Sequence, residues 1–309
     1  MATNNFKPFA TGAGANVMSQ ADWEALTALL TGFQSGKAAS AQVNKALRQG
    51  TVMASVIGQF IADSTGQDVL DNGNTSVVLT NFLNALKANT NGRLLNVRTF
   101  TASGTYTPTT GTKKIRVRLV GGGGAGGGAA ASTVTGNVAA GHGGTAGTYG
   151  ETGLIDVSSI SSVAVTVGAG GNGSSGGNGT AGGVSAFGTY ISAPGGQAGA
   201  AGSSTATTQT IVSDHSNGSP CTGANVLISI PGQGGFGQVS LNANTVKGGQ
   251  GGSSVLGLGG GAYTTNATPN PGTGYGGGGA GSVTTVSGGS TATAGGNGSQ
   301  GIVIIEEYA

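Results

Sequence analysis

The ionisable side chains of the glycine-rich part of the chain are few. Between residues 121 and 300 the acids are Glu151, Asp156 and Asp214, and the base is Lys247. Glycan cleavage requires two carboxylates, one on either side of a glycosidic bond. The spacing of these acids gives no reason to place any two of them together, so the sequence does not favour a depolymerase.

Two histidines and one cysteine complete the reactive residues of this region. His142 and His215 would need a carboxylate or further ligands at a defined spacing to act in acid–base or metal chemistry. Asp214 directly precedes His215, and neighbouring side chains of an extended strand point to opposite faces. Cys221 has no partner for an internal disulfide and no His or Cys at metal-ligand spacing. We therefore expect no enzyme activity, no catalytic residue and no bound metal.

A glycine run follows the predicted strand that ends at Val120, as in dinucleotide-binding loops. Such a loop must open a helix whose N-terminus holds the phosphates, and residues 129–136 are too short and too turn-prone to form one. No Gly-Lys-Ser/Thr sequence marks a triphosphate-binding loop. The sequence therefore predicts no nucleotide, and we expect no other cofactor.

The net charge of +2 and the charged fraction of 7% restrict the partners of the chain. Nucleic-acid binding relies on clustered Lys and Arg, and residues 121–300 contain no such cluster. No apolar run approaches the ~18 to 20 residues of a membrane span. Residues 1–5 lack the basic patch and apolar stretch of a secretory signal. We expect a chain that binds no nucleic acid, is not embedded in a membrane and folds in the cytoplasm.

Of the 66 glycines only nine precede residue 101, and that first part of the chain has helical periodicity. Ser19 and Asp22 are typical of a helix start. Further helices are predicted over residues 38–62 and 75–88. The apolar residues of the second helix alternate three and four apart, as in the seam of a helical bundle: Val43, Ala46, Gly50, Met53, Ile57 and Phe60. This pattern fits a small intrachain core and a trimeric bundle equally well.

From Thr99 onwards the period changes to two, which is typical of β-strands. Residues 113–120 alternate polar and apolar side chains and predict a half-buried strand. The other predicted strands cover residues 99–107, 149–157, 163–167, 184–191, 226–230 and 302–308. Several short strands joined by turn-rich segments favour an antiparallel sandwich.

Between the strands, glycine recurs at every third position in blocks, the longest of which runs from Gly170 to Gly182. A polyproline II helix has three residues per turn, so such a block lines one edge of the helix with hydrogen atoms and lets backbones pack together. Collagen shares this period, but the blocks here are short, change phase and contain little proline. We therefore predict polyproline II-like glycine helices packed on the sandwich.

The remaining chemistry is that of a binding surface rich in Ser, Thr, Asn and Gly, with isolated tyrosines. Tyrosine offers a large rigid contact area, and short polar side chains adapt their hydrogen bonds. Tyr263 and Tyr275 flank a stretch that contains Asn266 and Asn270, and His215 lies in a second polar stretch. We predict these five residues as ligand contacts, against the alternative that the aromatic rings pack on the sandwich.

Two longer patterns lie near the start of the chain and around its glycine-rich part. Residues 4–12 read Asn-Asn-Phe-Lys-Pro-Phe-Ala-Thr-Gly, and residues 19–26 read Ser-Gln-Ala-Asp-Trp-Glu-Ala-Leu. This opening resembles the N-termini of tail-fibre proteins from bacteriophages and prophages of enteric bacteria. Residues 99–124 and the closing residues 301–308 are similar to the glycine-rich fibre-tip domain of the same proteins.

The resemblance implies a homotrimer that attaches to the phage baseplate or to a longer fibre through its N-terminus. Its C-terminal domain would meet a host outer-membrane protein or lipopolysaccharide. On this basis we expect a receptor-binding adhesin of the virion tail, assembled in the host cytoplasm, with loops 129–140, 204–225 and 262–275 at the receptor. The alternative is a structural baseplate or fibre connector without receptor contact. An ice-binding or matrix protein is disfavoured, because it has no use for the helical region.

The expected fold is mixed and predominantly β, with a small helical N-terminal region before an antiparallel β-sandwich that has glycine-rich polyproline II-like segments between its strands. Residues 1–18 would form an attachment arm and residues 19–90 a helical attachment or trimerisation region. Residues 91–98 would form a linker, and residues 99–309 the glycine-rich fibre-tip domain.

Overall fold

The chain divides into two compact units, Met1–Asn91 and Gly92–Ala309. The computed structural model describes residues 1–33, 39–90, 92–206, 209–264, 267–285 and 291–309. These residues are mostly β, in antiparallel sheets, with a small helical N-terminal region. The predicted fold class is therefore confirmed.

The N-terminal unit is helical, and side-chain caps mark the starts of two of its helices. Ser19 caps the first helix, because its Oγ accepts a hydrogen bond from the Asp22 N–H at 3.2 Å. Asn74 caps the last helix in the same way, by accepting from the Val77 N–H. The helices are α1 Gln20–Glu24, α2 Ala28–Thr31, α3 Ser40–Thr65 and α4 Thr75–Asn89. The three helices expected from the sequence correspond to α1, α3 and α4.

A small apolar core joins α3 and α4. The buried side chains are Ile61, Ala62, Val69 and Ala85. The start of the predicted arm also lies on α3, because Asn4 is buried and its Nδ2 donates to the Ser55 carbonyl at 2.9 Å. The arm is thus held by α3 near its first residues.

Most of the apolar seam expected along α3 lies outside this core, and only its last residue, Phe60, packs against it. Met53 is 60% exposed and Ile57 is 43% exposed. Ala46 and Gly50 are exposed as well. Exposed leucines also occur on α4, at positions 79, 83 and 86. The intrachain core therefore covers the Phe60 end of the seam and leaves its middle part, from Ala46 to Ile57, exposed.

The C-terminal unit contains the strands. They are β1 Leu94–Phe100, β2 Gly104–Tyr106, β3 Lys114–Val120, β4 Asn137–Ala140, β5 Tyr149–Thr152, β6 Ile155–Asp156, β7 Val163–Thr166, β8 Ser185–Phe187, β9 Ile191–Ala193, β10 Thr205–Ala206, β11 Thr210–Ile211, β12 Val226–Ile230, β13 Val239–Asn242, β14 Thr245–Lys247, β15 Val283–Thr285 and β16 Ile302–Tyr308. Within the described ranges they form four sheets, and all of their strand pairs are antiparallel.

Two of the sheets form a sandwich with one shared core. The larger sheet has the order β1-β16-β3-β5-β12, with β6 also paired to β3, and the smaller has the order β2-β7-β8-β9. Tyr106 and Phe187 of the smaller sheet meet edge to face, with ring centroids 5.6 Å apart. Strand β3 alternates faces and contributes every second side chain to the core: Ile115, Val117 and Leu119. The predicted sandwich is present.

Several strand boundaries differ from those expected. Residues 94–98, which the sequence assigned to a linker, belong to β1 because this strand pairs with β16 along its whole length. The stretch 184–191 is not one strand but a hairpin of β8 and β9, which turns at Gly188 with a φ of 47°. Strands β4, β10, β11, β13, β14 and β15 were not predicted.

Residues 121–129 continue β3 as a glycine helix at the centre of a bundle. Their backbone N–H groups donate to three neighbouring segments in turn and return to the same neighbour at every third residue. The first residue of each triplet donates to segment 142–148, the second to segment 177–183 and the third to segment 293–299. A repeat of three is that of a polyproline II helix. The predicted glycine helices are therefore found here.

The central helix is enclosed by backbone on its acceptor side as well. Its carbonyl groups accept hydrogen bonds from segments 196–202 and 279–282 and from Gly171. Residues 121–129 are buried, although none of them has a side chain larger than a methyl group. This part of the protein is a core built from main chain alone.

The longest glycine block does not form one continuous helix. The chain reverses at Gly176, where φ is 65°. The two halves of the block then lie side by side and antiparallel, and the Thr180 N–H donates to the Asn172 carbonyl at 3.0 Å. The block therefore supplies two helices of the bundle rather than one.

Candidate functional site

The glycine helices carry the chain away from the sandwich and back. Gly121 directly follows β3, so residues at its level lie next to the sandwich. Gly127 lies six residues further along the central helix than Gly121. At about 3.1 Å per residue, the residues that pair with Gly127 are roughly 20 Å from those at the level of Gly121. We call this far end, formed by residues 130–140, 203–206, 209–212, 237–248, 262–264 and 283–285, the distal end.

Two small sheets cover the distal end. One has the order β10-β4-β15 and the other the order β11-β13-β14. Their shared core consists of short apolar side chains: Val138, Ala140, Val246 and Val283. The hairpin of β13 and β14 was missed from the sequence, although Leu241-Asn242-Ala243-Asn244 between alternating residues is a turn signal that could have revealed it.

The outer surface of the distal end combines apolar side chains with short polar ones. Ile211 is 77% exposed, Val134 is 59% exposed and Leu241 is 45% exposed. Ser, Thr and Asn make up most of the residues around them. Sequence reasoning did not single out these three apolar residues, because an isolated aliphatic residue in a polar stretch carries no periodic signal.

Tyr263 and Asn270 are brought together, as the prediction of a shared site requires. The Tyr263 hydroxyl donates to Oδ1 of Asn270 at 3.0 Å, and Tyr263 is 37% exposed. Asn270 is also tied to the bundle, because its carbonyl accepts from the Ala280 N–H at 3.0 Å. The pair therefore presents one phenol ring on a fixed base beside the distal end. Asn266 lies outside the described residues.

Tyr275 lies at the opposite end of the bundle. Its N–H donates to the Leu256 carbonyl at 3.0 Å. A Cβ on the next residue, Gly276, would meet Val120 and Gly121, the junction of β3 and the central helix. Tyr275 is thus at the level of the sandwich, and the structure does not join it with Tyr263 in one surface.

His215 lies on the flank of the bundle, where it meets His142. The two ring centroids are 5.2 Å apart and the ring planes are inclined by 60°. Burial lowers the pKa of His142, and the charge of His215 lowers it further, while Asp214 acts in the opposite direction. His142 is therefore held in its neutral form near physiological pH. No local pattern predicts this contact between positions 73 residues apart.

The remaining reactive groups have partners of their own. Glu151 forms an ion pair with Arg116 on the sandwich. Asp156 accepts a hydrogen bond from the Ser158 N–H at 2.9 Å, which lowers its pKa. Burial raises the pKa of the Cys221 thiol, and a thiol that stays protonated is a poor nucleophile. No two of these groups face a common cleft in the contacts described.

Helices of the described ranges are too short or too polar to cross a bilayer. The model of the glycine-rich domain family matches residues 99–308, which cover the bundle, the distal end and all of the sandwich except the first part of β1. No curated protein matches the chain. The matched residues make up most of the chain, and the protein therefore belongs to the glycine-rich domain family.

Proposed function

We propose that the chain is a subunit of a bacteriophage tail fibre or adhesin that binds a host-cell receptor through the distal end. It attaches to the virion through its N-terminal unit and acts by binding, without catalysis. The observation that carries the proposal is the glycine bundle, which holds the distal loops roughly 20 Å from the sandwich. Because the bundle packs main chain against main chain, the loops that it carries are free to vary in sequence.

The surface chemistry of the distal end favours a protein receptor over lipopolysaccharide. Sugars are bound by stacking on aromatic rings and by charged or amide side chains, whereas protein contacts bury aliphatic groups. Ile211, Val134 and Leu241 supply aliphatic surface, and Tyr263 supplies one ring. The charged side chains nearby are Lys247, exposed on β14, and Asp214 on the flank. An outer-membrane protein loop is the ligand that fits this mixture.

The exposed seam of α3 supports attachment as a trimer. A helix with apolar residues alternating three and four apart buries them against copies of itself in a coiled coil. Met53 and Ile57 stay exposed in the single chain, so the intrachain core does not bury them. A trimer would then present three distal ends, and their simultaneous binding would raise the overall affinity through avidity.

Receptor binding is tested with purified full-length chain and susceptible bacteria. Labelled protein is expected to bind the cells and to block adsorption of the phage from which it derives. Ile211→Asp, which places a charge on the distal end, should weaken both effects at least tenfold. Leu258→Asp is the matched control, because Leu258 is 69% exposed but lies near the sandwich. Equal loss in both variants, or no binding by the unmodified chain, contradicts the adhesin and leaves the connector.

The trimer is tested separately by the mass of the chain in solution. Met53→Lys should shift the protein from trimer to monomer, since a charge in the seam opposes helix association. Gln59→Lys is the control on the same helix, because Gln59 is exposed and bonds to Asp63 outside the seam. If the unmodified chain were a monomer at all concentrations, the seam would be ruled out as an interface. The proposal of receptor binding would not be affected by that result.

A further inference from the structure

The two histidines of the chain converge on one spot on the flank of the bundle. His142 belongs to segment 142–148, the neighbour of the central helix, and His215 belongs to the segment that pairs with residues 232–235. Each segment is fixed by backbone hydrogen bonds, because the His142 N–H donates to the Ala200 carbonyl at 3.0 Å and the His215 N–H to the Gly235 carbonyl at 2.8 Å. The approach of the rings is therefore set by the fold.

One ring nitrogen of this pair has no hydrogen-bond partner. Nδ1 of His142 is buried and unpaired among the described residues. A buried polar atom without a partner costs about 1 to 3 kcal/mol, so native proteins seldom keep one without a use. The unprotonated nitrogen of a neutral imidazole is a lone-pair donor, and the ring that carries this Nδ1 lies beside a second imidazole ring.

The separation of the rings matches that of two imidazoles on one metal ion. A bond of about 2.0–2.1 Å from the metal to each nitrogen, at a tetrahedral angle, places the two ring centroids roughly 5 Å apart. The observed separation is 5.2 Å. The ion lies in the plane of each ring, so the inclination of 60° between the rings is no obstacle.

The charges around the two rings suit a bound cation. Metal binding requires an imidazole nitrogen that carries no proton. Asp214 adds a negative charge close to His142, and its Oδ1 accepts from the Gly237 N–H at 2.8 Å, which fixes the carboxylate. The nearby carboxylate offsets part of the charge of a divalent ion.

We propose that His142 and His215 together bind one divalent transition-metal ion on the flank of the bundle. The ion belongs to the class that prefers imidazole, which is Zn²⁺, Ni²⁺ or Cu²⁺ rather than Mg²⁺ or Ca²⁺. In the described part of the chain no group of three His, Cys, Asp or Glu side chains surrounds a common point. The remaining coordination positions are therefore open to water or to a ligand from another molecule. The ion clamps two segments that backbone hydrogen bonds already hold, and so it stiffens the base of the distal end.

The test is calorimetric titration of the metal-free full-length chain with ZnCl₂ and with NiCl₂. One ion per chain is expected for each, and none for MgCl₂ at the same concentration. Zinc should also raise the melting temperature of the chain, because a ligand that binds only the folded state stabilises it. Absence of zinc binding at millimolar concentration overturns the proposal.

His215→Phe is the decisive variant, because it keeps a ring against His142 but removes the ligand nitrogen. Its affinity for zinc should fall at least tenfold, while its melting temperature without metal stays that of the unmodified chain. His215→Gln serves as a second variant should the phenyl ring disturb the fold. Cys221→Ser should bind zinc as the unmodified chain does, since the thiol lies elsewhere. Unchanged affinity in both His215 variants, or its loss in Cys221→Ser, overturns the assignment.

Discussion

The sandwich and the glycine bundle are neighbouring cores of one unit that are held together by opposite means. In the sandwich, large side chains such as Tyr106 and Phe187 are fully buried and remove apolar surface from water. In the bundle, the buried residues 121–129 offer almost no side chain, and each of their backbone N–H groups and most of their carbonyls find a partner in a neighbouring segment. The first core depends on what its side chains are, and the second on their absence.

The bundle also has the higher cost of ordering. Fixing a backbone costs about 1 to 2 kcal/mol per residue, and glycine loses more freedom than any other residue. Hydrogen bonds and close dispersion contacts between six neighbours of the central helix offset that cost. We infer that the sandwich tolerates conservative changes of shape, whereas the bundle tolerates no added atom at its centre.

The largest effect is therefore expected from a single methyl group in the bundle. In Gly126→Ala the new Cβ would lie less than 3.0 Å from the backbone of Ala280 and Gly281, which cannot move without breaking their own hydrogen bonds. We expect a loss of more than about 5 kcal/mol in the free energy of unfolding, above the usual cost of overpacking. Urea unfolding and amide exchange of residues 121–148 measure it.

Gly153→Ala provides the control for this substitution. A Cβ on Gly153 meets nothing within 4 Å. The same methyl group should therefore change the free energy of unfolding by less than about 1 kcal/mol. Similar stability of the two alanine variants, or rapid amide exchange throughout the bundle, would show that its backbones are not closely packed.

The sandwich should respond in the ordinary way of an apolar core. Phe187→Ala removes a ring that contacts Tyr106 and Tyr190, and we expect a loss of about 4 kcal/mol. Phe187→Leu keeps most of the volume and should cost less than about 2 kcal/mol. Thermal and urea unfolding of both variants give the comparison. If Leu and Ala proved equally harmful at this position, the contrast in tolerance between the two cores would fail.

The parts of the fold that follow from local patterns were predictable. The alternation in residues 113–120 gave β3, and the three-residue glycine period gave the helix type of the bundle. Neighbours in the bundle were not predictable, because the central helix pairs with segments up to about 180 residues away and every glycine edge looks alike. The turn at Gly176 was hidden for the same reason, since a glycine that reverses the chain keeps the period of a glycine that continues it.

The candidate site was less predictable than the fold. Loop composition indicated Tyr263 and Asn270, which the structure places in contact. It equally indicated Tyr275, which lies at the other end of the bundle. Which end a loop occupies depends on the direction of the helix before it, and that direction is fixed by long-range pairing rather than by local sequence.

A smaller effect is expected from a carboxylate that is buried inside the sandwich core. Glu307 is fully buried and accepts from the Tyr106 hydroxyl at 2.8 Å and from the Thr109 N–H at 3.0 Å. Glu307→Gln places an amide against one of these donors, and we expect a loss of about 2 kcal/mol near neutral pH. Urea unfolding at that pH measures this loss. An unchanged free energy of unfolding would mean that the hydrogen bonds from Tyr106 and Thr109 to Glu307 are not formed.

The same residue predicts an acid dependence of stability. Burial by itself raises the pKa of Glu307, but hydrogen bonds from Thr109 and Tyr106 outweigh it, and the pKa lies below its ordinary value. A carboxyl with a lowered pKa stabilises the fold above the unfolded value of about 4.3, and this contribution is lost as the pH falls through the folded value. Below about pH 4, unfolding curves of Glu307→Gln should therefore approach those of the unmodified chain. Parallel curves at all pH values would contradict this.

The smallest effect on stability is expected on the flank of the bundle. The titrating group there is a base, the imidazole of His142, rather than a carboxylic acid. Because burial lowers the pKa of His142, its contribution is complete above the unfolded value of about 6.5 and is lost as the pH falls through the folded value. Asp214→Asn removes the charge that raises this pKa while an amide oxygen can still accept from Gly237. In metal-free buffer this variant should lose more stability than the unmodified chain between about pH 7 and pH 5. His142→Asn should lose less of its free energy of unfolding over the same pH interval, because the titrating imidazole is gone. If the flank couples His142, His215 and Asp214, the two variants must therefore depart from the unmodified chain in opposite directions.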